Sequence, residues 1–122
     1  MDSLVNAIIK KLKTGTIPTV ILFSDQDVFP DPPYVVVKPE IGIIENTRAY
    51  RIIAHYQRGK FDLLERYVLN ELDSLLLGDI DDDDGARYKL YVSGFTDITA
   101  EPTDNSYFME RIYYTPLTVK SS

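Results

Sequence analysis

The segment from Lys60 to Leu77 constrains this chain more than any other. Phe61, Leu64, Val68, Leu72 and Leu75 recur every three or four residues, and Leu69 and Leu76 widen the stripe. Glu65, Arg66, Glu71 and Asp73 take the remaining positions. That spacing predicts an amphipathic helix of about five turns at 3.6 residues per turn, ended by Gly78 at C′. Such a helix is stable only if something apolar covers its stripe. The rest of the sequence must therefore supply a matching surface.

The segment before it does so. Thr47 to Gln57 alternates, with Tyr50, Ile52, Ala54 and Tyr56 on one face and Arg51, Ile53, His55 and Gln57 on the other. This is the signature of a half-buried strand. Thr19–Phe23 and Tyr34–Lys38 are β-branched, apolar runs that read as further strands, the second stopped by Pro39. Between them, Ser24–Pro33 holds three Asp and three Pro and reads as a loop. Beyond the helix, Asp79–Gly85 reads as an acidic loop and Arg87–Ile98 as a strand bent or bulged at Gly94. Thr99–Ser106 is turn-forming. Tyr107–Val119 is the last strand, with Pro116 suggesting a sheet edge.

At the start, Asp2 or Ser3 caps a first helix carrying Leu4, Val5, Ile8, Ile9 and Leu12. Lys10, Lys11 and Lys13 complement the negative end of its macrodipole, and Thr14-Gly15 ends it. The order is α-β-β-β-α-β-β. It implies an α+β domain of two layers, a mainly antiparallel sheet with two helices on one face, formed by residues 1–122 as one domain.

Composition excludes several functions. The chain has no cysteine, so it has no disulfide, no thiolate nucleophile and no Cys-ligated metal. Its net charge of −6, from 19 acidic and 13 basic residues, lacks the basic face of a non-specific nucleic-acid binder. No signal peptide and no apolar run of membrane-spanning length is visible. The nucleotide-binding, zinc-protease and serine-hydrolase motifs are absent. His55 reads as a half-exposed strand residue without a catalytic partner. The run Asp79, Asp81, Asp82, Asp83 and Asp84 could supply oxygen ligands to a hard cation. In an EF-hand register from Asp79, however, the sixth residue is Asp84 and the twelfth is not Glu; starting from Ile80 fails at the first ligand. A solvated loop of like charges is the better reading. The nine Tyr suit cross-strand pairing and protein interfaces. No cofactor and no catalytic or metal site are expected.

The order of elements carries a resemblance. An amphipathic helix leads to a short strand, then a Pro-rich loop reaches Pro33-Tyr34-Val35-Val36-Val37. The strand Arg48–Gln57 runs straight into one long helix, and the chain closes on Tyr107-Phe108-Met109-Glu110-Arg111-Ile112-Tyr113-Tyr114. This pattern resembles the tail-terminator and tail-completion (tail-to-head joining) proteins of long-tailed bacteriophages over most of the chain. The resemblance implies a virion subunit made in the host cytoplasm. It would form a homo-oligomeric ring, usually of six copies, at the head-proximal end of the tail. That ring would end the tail tube, meet the tail-tube protein and dock the head connector or stopper protein.

DNA would pass the lumen without sequence-specific binding, and acidic walls would repel its phosphates. The acidic loop Asp79–Asp84 is then a candidate lumen or docking rim, and Tyr107, Phe108, Tyr113 and Tyr114 of the final hairpin a candidate interface. Val20–Phe23 or the last strand could be lent to a neighbour. Two other classes stand beside this one. The first is a small regulatory or ligand-binding α+β domain with a pocket between helix and sheet. The second is an enzyme using carboxylates such as Asp82 with a divalent metal.

Overall fold

A computed structural model describes residues 3–23, 29–41, 47–82, 84–101 and 106–116. Helix α1 spans Ser3–Leu12 and is followed by strands β1 (Val20–Leu22), β2 (Tyr34–Ile41) and β3 (Thr47–Gln57). A 3₁₀ turn, Arg58–Lys60, opens a continuous helical run. It comprises α2 (Phe61–Arg66), a π-helical turn (Tyr67–Glu71) and α3 (Leu72–Leu76). Strands β4 (Gly78–Asp81), β5 (Arg87–Glu101) and β6 (Ser106–Pro116) complete the chain. The fold is α+β, as expected: helices against a six-stranded, mostly antiparallel sheet in the order β1-β2-β3-β6-β5-β4.

Alternation decides which face of that sheet is the core face. Val35 and Val37 of β2, Tyr50, Ile52 and Ala54 of β3, and Met109 and Tyr113 of β6 form one buried cluster with the helices. Helix α1 contributes Leu4, Ile8 and Leu12; the longer helical run contributes Leu64, Tyr67, Val68, Leu72 and Leu76. Its expected stripe shifts slightly. Leu69 is exposed and Leu75 only half-buried, because the π turn inserts extra rotation midway along the run. Helix α1 touches both outermost strands, β1 and β4, and so lies across the sheet. No described helix is long and apolar enough to cross a membrane.

Four details differ from the sequence reading. Gly78–Asp81 is a strand rather than part of a loop, pairing antiparallel with Arg87–Leu90 of β5. Only Ile80 of this strand packs inward. Second, β2 does not stop at Pro39. The N–H of Val35 points to β1, bonding the Thr19 carbonyl, so by the period of two Val37 and Pro39 face that side as well. Strand β1 pairs only as far as Val37. Proline, which has no N–H, therefore sits beyond β1's last pairing, where no donor is needed. Third, β6 is not a strand free for lending, because it lies between β3 and β5, although its Pro116 end is unpaired on the β5 side, as expected. Pro116 is tolerated because it pairs only with Thr47, past the last β5 rung at Tyr91–Tyr114. Fourth, His55 is buried rather than half-exposed. The irregularity expected at Gly94 is present, as a register shift between Val92 and Thr96. Asp2, residues 24–28 of the Pro-rich loop, Asp83 and residues 117–119 of the last expected strand lie outside the described residues.

Candidate assembly surfaces

The acidic run divides into residues with different work. Asp79 and Asp81 are exposed on β4, opposite Lys89 and Arg87 of β5. The Arg87 guanidinium donates to both Asp81 oxygens, at 2.7 and 3.4 Å. That hydrogen bond holds the Asp81 carboxyl below its ordinary range and raises Arg87 in turn. Asp82 is buried. Its Oδ2 accepts from the Ser3 hydroxyl at 2.8 Å, and its Oδ1 accepts from the backbone N–H groups of Asp84 and Ala86, each at 2.9 Å. The Ser3 bond, followed by those backbone donors, keeps the Asp82 carboxyl below its ordinary range. Its backbone N–H donates to the Ala86 carbonyl at 2.9 Å, and Gly85 takes φ +86°, a left-handed position that favours glycine. Asp82 thus fixes a tight turn and ties it to α1. Asp84 projects from that turn and is exposed. Among the described residues, no group of three or more His, Cys, Asp or Glu is arranged to hold a metal ion.

The aromatic residues of β6 do not share one surface. Tyr107 and Tyr113 point to the helices; Phe108 and Tyr114 point away. Tyr113 is fully buried within the subunit and donates to Asp73 Oδ1 at 2.5 Å. Asp73 Oδ2 also accepts from Arg111 at 3.1 Å. Burial first, then the Asp73 carboxylate, pushes the Tyr113 phenol far above its usual value, so it stays a neutral donor. Tyr114 stacks on Tyr91 at 5.6 Å. Phe108 closes an aromatic group in which His55 lies 4.4 Å from Tyr34 and 5.3 Å from Phe108, with Phe29 beyond. On the same face Arg51 of β3 bonds Glu40 of β2 at 2.6 Å and also Glu110 of β6, joining three strands. Because β6 is paired on both sides, its edges are not available to a neighbour; of the two strands considered for lending, only β1 is outermost.

One feature has no counterpart in the sequence reading. Arg58, Lys60 and Arg66 line a shallow hollow of about 410 Å³ with Phe61 and Leu63. Asp62 is the one acidic residue in its lining. Tyr107 supports it from beneath, edge-on to Phe61 at 6.3 Å and 5.7 Å from the Arg58 guanidinium. The signal was there, three cations within nine residues of a chain otherwise rich in acid. Folding concentrates them, because the 3₁₀ turn leads straight into α2, whose last residue is Arg66.

A further helix-borne carboxylate is structural. Glu71, at the end of the π turn, accepts from the Thr16 backbone N–H at 2.6 Å and from the Thr16 hydroxyl at 2.8 Å. It pins the turn between α1 and β1 to the long helical run. Burial and then the nearby Glu71 charge raise the Tyr67 phenol far above its usual value.

No protein-family model matches this chain, and no curated protein does either. Six solved chains match it in structure. One belongs to a structure described as the virion of a native gene transfer agent (GTA) particle. It aligns with a TM-score of 0.67 over 93% of this chain and 92% of its own, at 12% sequence identity. At that identity the likeness is one of fold. From end to end, this chain is built like a component of that virion.

Proposed function

We propose that this chain is a structural subunit of a phage-like virion. In the finer reading, it forms a ring of six copies at the head–tail interface, where it ends the tail tube and docks the head connector. The observation that carries the coarse reading is the whole-chain likeness, 93% against 92%, to a chain of a gene transfer agent particle. A shared small domain inside a larger enzyme would not match at both ends. The finer reading rests on the order of elements shared with tail-terminator and tail-completion proteins. Its mechanism is surface complementarity closed by cyclic symmetry, and it needs no catalytic group. The space a ligand-binding domain would use, between helices and sheet, is filled here by the fully buried Leu64, Val68, Leu72, Val35 and Ile52.

The test is mass by light scattering, on the protein alone and mixed with candidate tail-tube subunits. A discrete ring in either sample is expected. A strict monomer in both sinks the ring. Absence of the chain from purified particles, by mass spectrometry, would sink the virion reading as well.

A further inference from the structure

We infer that copies of this chain join head to tail, the acidic β4–β5 turn of one seating in the Arg58–Lys60–Arg66 hollow of the next. This rests on the ring reading above and names its contact. The two surfaces lie at opposite ends of the strands. Arg58 directly follows Gln57, whose rung partner is Ser106, at the first rung of β6. The acidic turn lies beyond the Tyr91–Tyr114 rung, at the other end of β6. The eight steps from Ser106 to Tyr114 span about 26 Å of extended chain. Each patch is complementary to the other rather than to itself, which suits a heterologous contact, the kind that generates a ring when its rotation closes.

Charge and shape are complementary. Between Asp79 and Lys89 five aspartates face one arginine and one lysine, whereas the hollow sets three cations against Asp62. The Asp82 carboxylate holds Ser3, Asp84 and Ala86 through three hydrogen bonds, so little ordering of these residues is lost on docking. The hollow has an apolar floor, with Leu63 40% exposed beside Phe61. A charged rim around an apolar floor is the composition of a protein contact.

Two variants test this without touching the groups that hold the fold. Lys60→Glu with Arg66→Glu spoils the hollow; Asp79→Lys with Asp84→Lys spoils the turn. Each alone should be monomeric under conditions where the wild type associates. Mixed, the first still offers an intact turn and the second an intact hollow, so they should form a 1:1 heterodimer and nothing larger. The heterodimer should weaken by about tenfold or more between low and high salt. Circular dichroism confirms that each variant is folded. No heterodimer at sub-millimolar concentration, or wild-type association that survives in both variants, overturns the contact. In the second case the ring itself stands, so failure of the contact and failure of the ring reading are separable.

Discussion

The layer beneath the helices and the β4–β5 corner are built on different physical terms. In the layer, residues far apart in sequence meet: Leu4 and Leu12 of α1 join Val68 and Leu72 of the long helical run and Tyr113 of β6 in one buried cluster. Its polar groups are few: Asp73 is paired with Tyr113 and Arg111, whereas the buried Tyr67 hydroxyl has no hydrogen-bond partner among the described residues. At the corner nearly every bond is local. Asp82 bonds Asp84 and Ala86, and Asp81 bonds Arg87, while a single long-range bond reaches Ser3. The layer therefore carries stability, and the corner carries shape. A surface can be rich in charge and fixed in form without contributing much to whether the chain folds.

Substitutions can break or sharpen that contrast. The largest effect is expected in the layer. Leu72 is fully buried, and Leu72→Ala should lower unfolding stability by about 2–5 kcal/mol in chemical denaturation. Asp73→Ala leaves the buried Tyr113 hydroxyl without this acceptor and should lower stability by about 1–3 kcal/mol, with Asp73→Asn falling between it and wild type. Gly15→Ala comes next, at about 1 kcal/mol. The new Cβ would stand 2.8 Å from Leu75 Cδ1, a side-chain end that can yield, and 2.6 Å from Glu71 Oε2, which can yield only by loosening its bonds to Thr16.

Asp82 gives a smaller effect with a distinct pH signature. Its folded-state value lies below the ordinary 3.8, so its contribution is present above that pH and is lost as pH falls through the lower folded value. Wild type and Asp82→Ala should differ in thermal midpoint at pH 6 and converge as pH drops below about 4. The smallest effect is expected for Asp81→Ser, which removes an exposed ion pair and should leave the midpoint where it was. A large loss from Asp81→Ser, or none from Leu72→Ala, would erase the distinction between the two regions.

What could be read from the sequence follows the same division. Periodicity reports burial, so Tyr50, Ile52 and Ala54 read as one face of a strand, which the structure buries, and Leu64, Val68 and Leu72 as the helix stripe. The π turn left no trace, because Val68, Leu72 and Leu76 recur every four residues whether or not one turn is wider. Strand β4 was hidden by charge. Asp79-Ile80-Asp81 does alternate, but one apolar residue among five aspartates looks like a loop until β5 offers it a partner. The central place of β6 is a matter of strand order, which no local pattern encodes; Pro116 described its end correctly and its neighbours wrongly. The basic hollow depends on where a strand end and a helix start meet, so its three cations looked like ordinary surface charge.

The hydrogen bond from Ser3 to Asp82 joins residues 79 positions apart. During synthesis at about 5–20 residues per second, α1 leaves the ribosome several seconds before β4 exists. Through that interval its Leu4, Ile8 and Leu12 stripe has neither the long helical run nor β4 to lie against. The stripe, which also meets β1 and β2, is therefore only partly covered until β4 has been made, and early chaperone contact is to be looked for there.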